Sequence, residues 1–413
     1  MEYKEYELGE LIEYRNEKLL IENVSLENYI STENLLPNRN GKQNAEKLPN
    51  TKSVKKYYEN DILISNIRPY FKKIWQAEIP GGASNDVLIL NSCSNNTTND
   101  YLYYYLSQDK FFDYMTQTAK GTKMPRGDKK AILGYEIKVP NIKHIQNYIV
   151  NLGKNIDKKI ETNKKIIANL QELSQTLFKR WFVDFEFPDE NGNPYKSSDG
   201  EMVDSELGEI PKGWNVKNLD DIANYVNGLA MQKFKSTDNQ NSLPVVKIKE
   251  LKNGSTDENS NRCTSEIPDK ALINDGDIIF SWSATLLVKM WCGGKAGLNQ
   301  HLFKVSSDKY PKWFYYYWTK RYIDYFIGIA NDKATTMGHI NRKHLSHAKI
   351  LIPNDSTLEK FSRTFDDLLE KELSVSKESK RLIELRDTLL PKLMSGEIEI
   401  PDDIEVMEDE LSI

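Results

Sequence analysis

Leu170-Gln-Glu-Leu173-Ser-Gln-Thr-Leu177-Phe178-Lys-Arg-Trp181-Phe182 returns as Leu382-Ile-Glu-Leu385-Arg-Asp-Thr-Leu389-Leu390-Pro-Lys-Leu393-Met394. The apolar positions match one for one, 212 residues apart, which is close to half of the 413-residue chain. A period that long is not a solenoid repeat; it marks a duplicated unit, a module followed by a helix. Working outward, Asp61-Ile-Leu-Ile-Ser65 pairs with Asp277-Ile-Ile-Phe-Ser281. The Tyr-rich run from Tyr103 to Tyr114 resembles Tyr315 to Tyr325. Thr122-Lys-Met124 pairs with Thr335-Thr-Met337, and Ile137-Lys-Val-Pro140 with Ile350-Leu-Ile-Pro353. Order is kept while the offset drifts by a few residues, as loop insertions require. Two similar modules on one chain imply two similar recognition tasks.

The repeated segments belong to long amphipathic runs. Ile145, Ile149, Leu152, Ile156, Ile160, Ile167, Leu170, Leu173 and Leu177 recur every three or four residues without an intervening Pro. This spacing predicts a helix of roughly 40 residues, about 60 Å long, with a narrow apolar stripe and a polar opposite face. Such a stripe needs a second helix to cover it. Leu358, Phe361, Phe365, Leu368, Leu369, Leu373, Val375, Leu382, Leu385, Leu389 and Leu393 supply one.

The expected fold class is α+β: two similar globular α/β modules joined by two long antiparallel helices, with a pseudo-two-fold axis. The modules span 1–143 and 214–355, the helices 144–183 and 356–396, a connector 184–213 and an acidic tail 397–413. Asp61–Ile67, Val87–Leu90, Tyr135–Val139 and Leu243–Ile248 read as strands bounded by turn residues. Tyr101–Thr116 has helical spacing. Asp184–Trp214 is rich in turn residues and reads as an ordered connector or small hairpin.

Hydrophobic content of 39% and charged content of 28% suit a soluble protein, and no apolar run is long enough to span a bilayer. The polar start is not that of a secretory signal, and three scattered Cys favour a reducing cytoplasm over a disulfide framework. The net charge of −5 is unevenly spread. Beyond Pro391, Glu397, Glu399, Asp402, Asp403, Glu405, Glu408, Asp409 and Glu410 face one base, Lys392. Lys120, Lys123, Arg126, Lys129, Lys130, Lys138 and Lys143 cluster against few acids, and binding follows the local field rather than the total.

Catalytic signatures are missing. There is no P-loop and no Gly-x-Ser-x-Gly elbow. Asn193-Pro-Tyr195 is half of an amino-methyltransferase motif without its further Pro or a Gly-rich cofactor loop, and reads as a turn. Glu250-Leu-Lys252 has the acid-x-Lys spacing of metal nucleases, a triplet common in charged chains. His339, His344 and His347 lack the framework of a zinc site.

What remains is binding chemistry, in paired loops. Each module has a donor-rich segment before its last strand, Lys120 to Lys130 and Lys333 to Lys343. Gly and Thr there let backbone N–H groups approach phosphate, and Lys and Arg supply charge. Each also has a loop of amides and aromatics, whose side chains can read base edges. The candidate DNA contacts in the first module are Ser65, Asn66, Arg68, Tyr70, Lys72, Asn85, Lys120, Thr122, Lys123, Arg126, Lys129 and Lys130. In the second they are Ser281, Trp282, Ser283, Thr285, Asn299, Gln300, His301, Lys333, Thr335, Thr336, His339, Asn341, Arg342 and Lys343. Taken singly each loop is an ordinary solvated surface; their paired placement argues otherwise. A stand-alone nuclease or fused methyltransferase would need a cofactor or metal motif. A scaffold joining two protein-binding modules would explain the helices but not the paired loops.

Leu177-Phe-Lys-Arg-Trp-Phe-Val-Asp-Phe185 with its Phe-Pro follow-up and Gly208-Glu-Ile-Pro-Lys-Gly-Trp214 are the most specific segments. With Gly276–Ser283, Gly293–His301 and Leu385–Gly396 they resemble the specificity subunits of type I restriction-modification systems. The resemblance runs from near the N-terminus to about Ile400. It implies a non-catalytic DNA reader, each module reading one half of a split target on double-stranded DNA and the helices setting the gap. It further implies docking of two methyltransferase subunits, and of restriction subunits where a system has them. S-adenosylmethionine, ATP and Mg would be bound by those partners and no cofactor by this chain. The differing loops imply differing half-sites.

Overall fold

The computed structural model describes residues 2–236, 242–332 and 338–401; most of the acidic tail lies outside them. It forms two compact units, Met1–Lys159 with Leu382–Ile413, and Ile160–Arg381. The division falls inside both long helices, so each unit combines one sequence module with a stretch of each helix.

In the first unit the strands are β1 (Tyr3–Glu7), β2 (Ile12–Tyr14), β3 (Lys18–Leu20), β4 (Tyr29–Ile30), β5 (Ser53–Tyr57), β6 (Ile62–Ser65), β7 (Ile74–Gln76), β8 (Gly81–Ala83), β9 (Val87–Ser92) and β10 (Glu136–Pro140). The helices are α1 (Asn99–Leu106), α2 (Asp109–Gln117), α3 (Lys129–Leu133) and the start of α4 (Lys143–Phe182). β1 pairs antiparallel with β10, and two four-stranded sheets run β2-β9-β6-β7 and β3-β5-β8-β4. The Tyr101–Thr116 run is two helices rather than one. The Ser107 hydroxyl donates back to the Tyr103 carbonyl at 2.7 Å and the next helix begins at Asp109. Ile62, Ile64, Leu88 and Leu90 of the central strands, Phe111 and Phe112 of α2, and Ile145 and Ile149 of α4 share one core with Leu390, Leu393 and Met394. Gly153, the only Gly in α4, admits α1: a Cβ there would lie 2.7 Å from the Tyr104 ring.

The second unit repeats this plan with β11 (Met202–Ser205), β12 (Gly208–Pro211), β13 (Asn215–Asn218), β14 (Asn224–Asn227), β15 (Ser242–Val246), β16 (Arg262–Thr264), β17 (Leu272–Ile273), β18 (Ile278–Ser281), β19 (Leu287–Met290), β20 (Ala296–Leu298), β21 (Leu302–Ser306) and β22 (Lys349–Ile352). Its helices are α5 (Leu219–Ile222), α6 (Ile248–Asn253), α7 (Lys312–Arg321), α8 (Ile323–Asp332), α9 (Arg342–Ser346) and α10 (Asp355–Ser395), the last reaching into the first unit. β13 pairs with β22, and β14-β21-β18-β19 matches β2-β9-β6-β7. In the other sheet the inner three strands correspond: β15 runs parallel to β20 as β4 does to β8, and β17 and β5 are antiparallel to those strands. The fourth strand joins opposite edges, β3 on β5 but β16 on β15. The connector is the β11–β12 hairpin plus an aromatic stack, Tyr195 on Phe187 at 4.6 Å and Phe187 on Trp214 at 5.3 Å. Asn193-Pro-Tyr195 therefore serves packing.

Within the second unit the two long helices are antiparallel. Trp181 packs on Phe361 at 4.5 Å, Gln171 donates to Glu372 at 2.6 Å and Asn163 to Glu378 at 2.8 Å. Polar layers in such a seam cost stability and fix register. Burial pushes the Glu372 carboxyl above its ordinary range, against the Gln171 hydrogen bond and the Lys320 ammonium, which pull it down. A folded-state value above the unfolded one means that the ionised form costs stability at neutral pH, recovered as pH falls towards that raised value. Glu372→Gln is expected to raise the thermal midpoint at pH 7.5 by a few degrees and to flatten its rise towards pH 5. An unchanged pH profile of unfolding would contradict this.

Candidate nucleic-acid interface

The loop-bearing edge of each module is built by one device. After β6, the Ser65 hydroxyl donates to the Ile67 carbonyl at 3.1 Å; after β18, Ser281 does the same to Ser283 at 3.3 Å. Three residues past each serine the backbone turns left-handed, at Arg68 (φ 50°) and Ala284 (φ 56°). The loop then pairs with the segment preceding the last short helix. Arg68 N–H donates to the Pro125 carbonyl and Gly127 N–H to that of Asn66; Ala284 N–H donates to Gly338 and Ile340 N–H to Trp282. Ile67 bridges Arg126 as Ser283 bridges His339. Asp128 and Asn341 then cap α3 and α9. These bonds bring each amide-aromatic loop against its donor-rich segment, although some 55 residues separate them in sequence.

The equivalence shows what differs. The positions of Asn66, Asp86 and Arg126 in the first module are those of Trp282, His301 and His339 in the second. Arg126 pairs with Asp86 at 3.2 Å with its side chain 57% exposed. The Trp282 ring lies 6.0 Å from that of His301 and 6.3 Å from that of His339. Asn66 Oδ1 and Trp282 Nε1 are both buried without a hydrogen-bond partner.

Not every candidate faces solvent. Ser65, Asn66, Ser281 and Asn299 are buried, so their side chains shape the loops from inside. Lys72 is mostly covered and its ammonium is 2.8 Å from Asp109. Arg68, Tyr70, Asn85, Lys120, Thr122, Lys123, Arg126, Lys129 and Lys130 are exposed, as are Thr285, His301, His339, Asn341, Arg342 and Lys343; Trp282, Ser283 and Gln300 are half-buried. Lys333, Thr335 and Thr336 lie outside the described residues. Lys120 and Arg126 exchange both backbone hydrogen bonds, at 2.8 and 2.9 Å, which projects Gly121–Pro125 as a tip. Lys55, unremarked in the sequence, holds the Asn85 loop: its ammonium donates to the carbonyls of Asn85 and Val87, and burial lowers it to about 8. The first loop also exposes Phe71 and the tip exposes Met124.

The Glu250-Leu-Lys252 lead resolves into packing. Glu250 is buried in α6, its carboxylate accepting from Lys247 N–H and the Ser260 hydroxyl. Among the described residues no group of three or more His, Cys, Asp or Glu could hold a metal ion. No described helix is long and apolar enough to cross a membrane.

Both halves of the chain, residues 1–172 and 211–385, match the type I restriction modification DNA specificity domain. The chain belongs to that family. Its two domains make it the DNA-specificity component of a restriction-modification system rather than a catalytic one. Among its relatives, the type I restriction enzyme MjaIX specificity subunit of Methanocaldococcus jannaschii is 28% identical, over 73% of this chain and 70% of that one. The HindI specificity subunit of Haemophilus influenzae is 23% identical, over 96% and 100%. The crystal structure of a type I restriction-modification S subunit from M. genitalium has the same fold, with a TM-score of 0.54 at 14% identity, covering 97% of each chain.

The exposed, loop-anchored guanidinium of Arg126 suits a phosphate contact. In the assembled specificity complex, Arg126→Ala is expected to weaken DNA binding across sequences and to lower the salt slope by about one ion. A slope equal to that of the parent would show that Arg126 meets no phosphate.

Proposed function

We propose that this chain is the address reader of a cytoplasmic type I complex, its two modules reading the two unlike halves of a split DNA target. The observation that carries this is the duplicated loop device: the same backbone frame presents Asp86 and Arg126 in one module and His301 and His339 in the other. One frame with different side chains is what two half-sites of different sequence require. The long helices separate the halves, and joining two weak contacts through a stiff spacer raises the effective concentration of the second.

The helices also dock two modification subunits. Glu172, Leu173 and Thr176 of α4 are exposed, and so are Glu384, Leu385 and Thr388 of α10, identical residues at the same places of the repeat. Arg180 and Lys392 continue each face two turns on. Leu173 is 53% and Leu385 47% exposed. A lone exposed leucine needs no explanation, but the same face kept twice, beside loops that have diverged, suits two copies of one partner. S-adenosylmethionine, ATP and Mg act on the partner subunits, and this chain binds none of them.

The test is co-expression with a candidate methyltransferase partner gene, followed by single-molecule sequencing of methylated adenines. A two-part motif with a fixed gap, lost when this chain is omitted, is expected. A stable complex that writes no motif would favour a scaffold.

A further inference from the structure

The two modules differ in one feature that loop sequence alone does not convey. Residues 66–73 join β6 to β7, whereas residues 282–286 join β18 to β19, so the first loop is three residues longer. The additional length is the 3-10 turn Pro69–Phe71. It leaves two aromatic rings part-exposed on the module surface, Tyr70 at 48% and Phe71 at 39% exposure, with centroids 4.7 Å apart. The second module has Leu286, which is buried, at the end of its shorter loop.

The turn is braced on every side. Phe71 N–H donates to Arg68 and Lys72 N–H to Pro69, closing it internally. Asn38 and Arg39 donate their N–H groups to the carbonyls of Phe71 and Lys72, at 2.8 and 2.9 Å. Arg68 N–H holds the Pro125 carbonyl at 2.8 Å. Arg68 and Lys72, at either end, are both left-handed, with φ 50° and 52°. Left-handed backbone at two non-glycine residues persists only where the surroundings over-determine it. The Lys73 ammonium lies 6.0 Å from the centre of the Phe71 ring, and the bond from Arg68 to Pro125 sets the turn beside the tip that exposes Lys123 and Met124. A braced pair of part-exposed rings with Arg68, Lys73 and Lys123 on the adjoining backbone suits an uncharged, stackable surface flanked by phosphates, which is a DNA base step.

We propose that Tyr70 and Phe71 form a wedge that unstacks one base step in the half-site read by the first module, and that the second module leaves its half-site stacked. This rests on the DNA reading above and adds a mechanism to it. Proteins that press apolar side chains against a base step kink the duplex, and the energy required depends on the step deformed. The first half-site would therefore favour a flexible pyrimidine–purine step at the wedge even where no side chain hydrogen-bonds to it.

The experiment uses the complex of this chain with its modification subunits and duplexes carrying the methylated motif. Permanganate reactivity of thymines reports unstacking, and filter binding reports affinity. Apart from the thymines opposite the target adenines, the parent complex is expected to expose one step, in one half-site only. Tyr70→Ala with Phe71→Ala should abolish that reactivity and weaken binding about tenfold, as loss of base–aromatic stacking does. Reactivity of the thymine opposite the target adenine, where the methyltransferase draws that adenine out of the stack, should survive the double variant. Tyr70→Phe with Phe71→Tyr keeps the rings and should keep the signal, which guards against a folding defect. Tight, specific binding without wedge-dependent reactivity in either half-site would overturn the wedge and leave the DNA reading intact. A complex that binds no split target would overturn both.

Discussion

Inserting four residues after Lys164 together with four after Lys377 is expected to widen the gap in the recognised DNA by about two base pairs, with both half-sites unchanged. The two positions adjoin: within one unit Asn163 donates to Glu378 at 2.8 Å, so matched insertions lengthen both helices at one level of the antiparallel seam. Four helical residues add about 6 Å and slightly more than one turn, which nearly restores the apolar stripe to its partner. Six ångströms is close to two base-pair rises of about 3.4 Å. The half-sites should persist because the loop device lies in β-sheet modules whose frame the insertion does not enter. Methylated-adenine sequencing in cells carrying the variant reads both quantities at once. An active variant that writes the parental gap would sink the spacer reading, whereas altered half-sites would mean that the helices shape the loops as well.

That the spacer could be proposed at all reflects how plainly helices write themselves. The stripe from Ile145 to Leu177 has one periodicity and one partner stripe, and α4 and α10 follow both. The Asp61 and Asp277 segments were equally legible because both carboxylates accept the N–H three residues earlier, from Tyr58 and Asn274, at the turn into a core strand. The sheets were less so. Strands of two to six residues carry little pattern, and attaching β3 and β16 to opposite edges depends on non-local pairing that no short window contains. The candidate loops were found by composition, but composition cannot separate a base reader from a brace. Lys72 carries the charge of a phosphate contact and is paired with Asp109; Asn66 has the chemistry of a base reader and is buried. Lys72 meets Asp109 and Asn66 meets Asp86 and Gly127, 20 to 61 residues away, and only the fold brings them together.

Replacing Leu173 by Asp should leave a complex holding one modification subunit instead of two, Leu385→Asp should do the same, and the double variant should hold none. Each leucine is about half exposed while the residues that pack the helices, Ser174 and Phe178 on α4 and Leu390 on α10, are buried, so the substitutions act on solvent-facing positions. Surface changes of this kind usually alter stability by less than about 0.5 kcal/mol, and thermal melting of the isolated chain should confirm it. At an interface the same leucine would sit in a desolvated centre, where its loss costs upwards of about 2 kcal/mol and burying a carboxylate costs more. That is at least a thirty-fold loss for one site. Native mass spectrometry of the reconstituted complex counts the subunits directly. The pattern matters more than the size of the effect. Equal, independent losses from two variants follow only if the two faces, alike in Glu, Leu, Thr and a terminal base, are two copies of one docking site. If both single variants still bound two subunits, the retained face would have no part in assembly. If either single variant lost both, the two sites would be coupled, and docking on one helix would depend on the other.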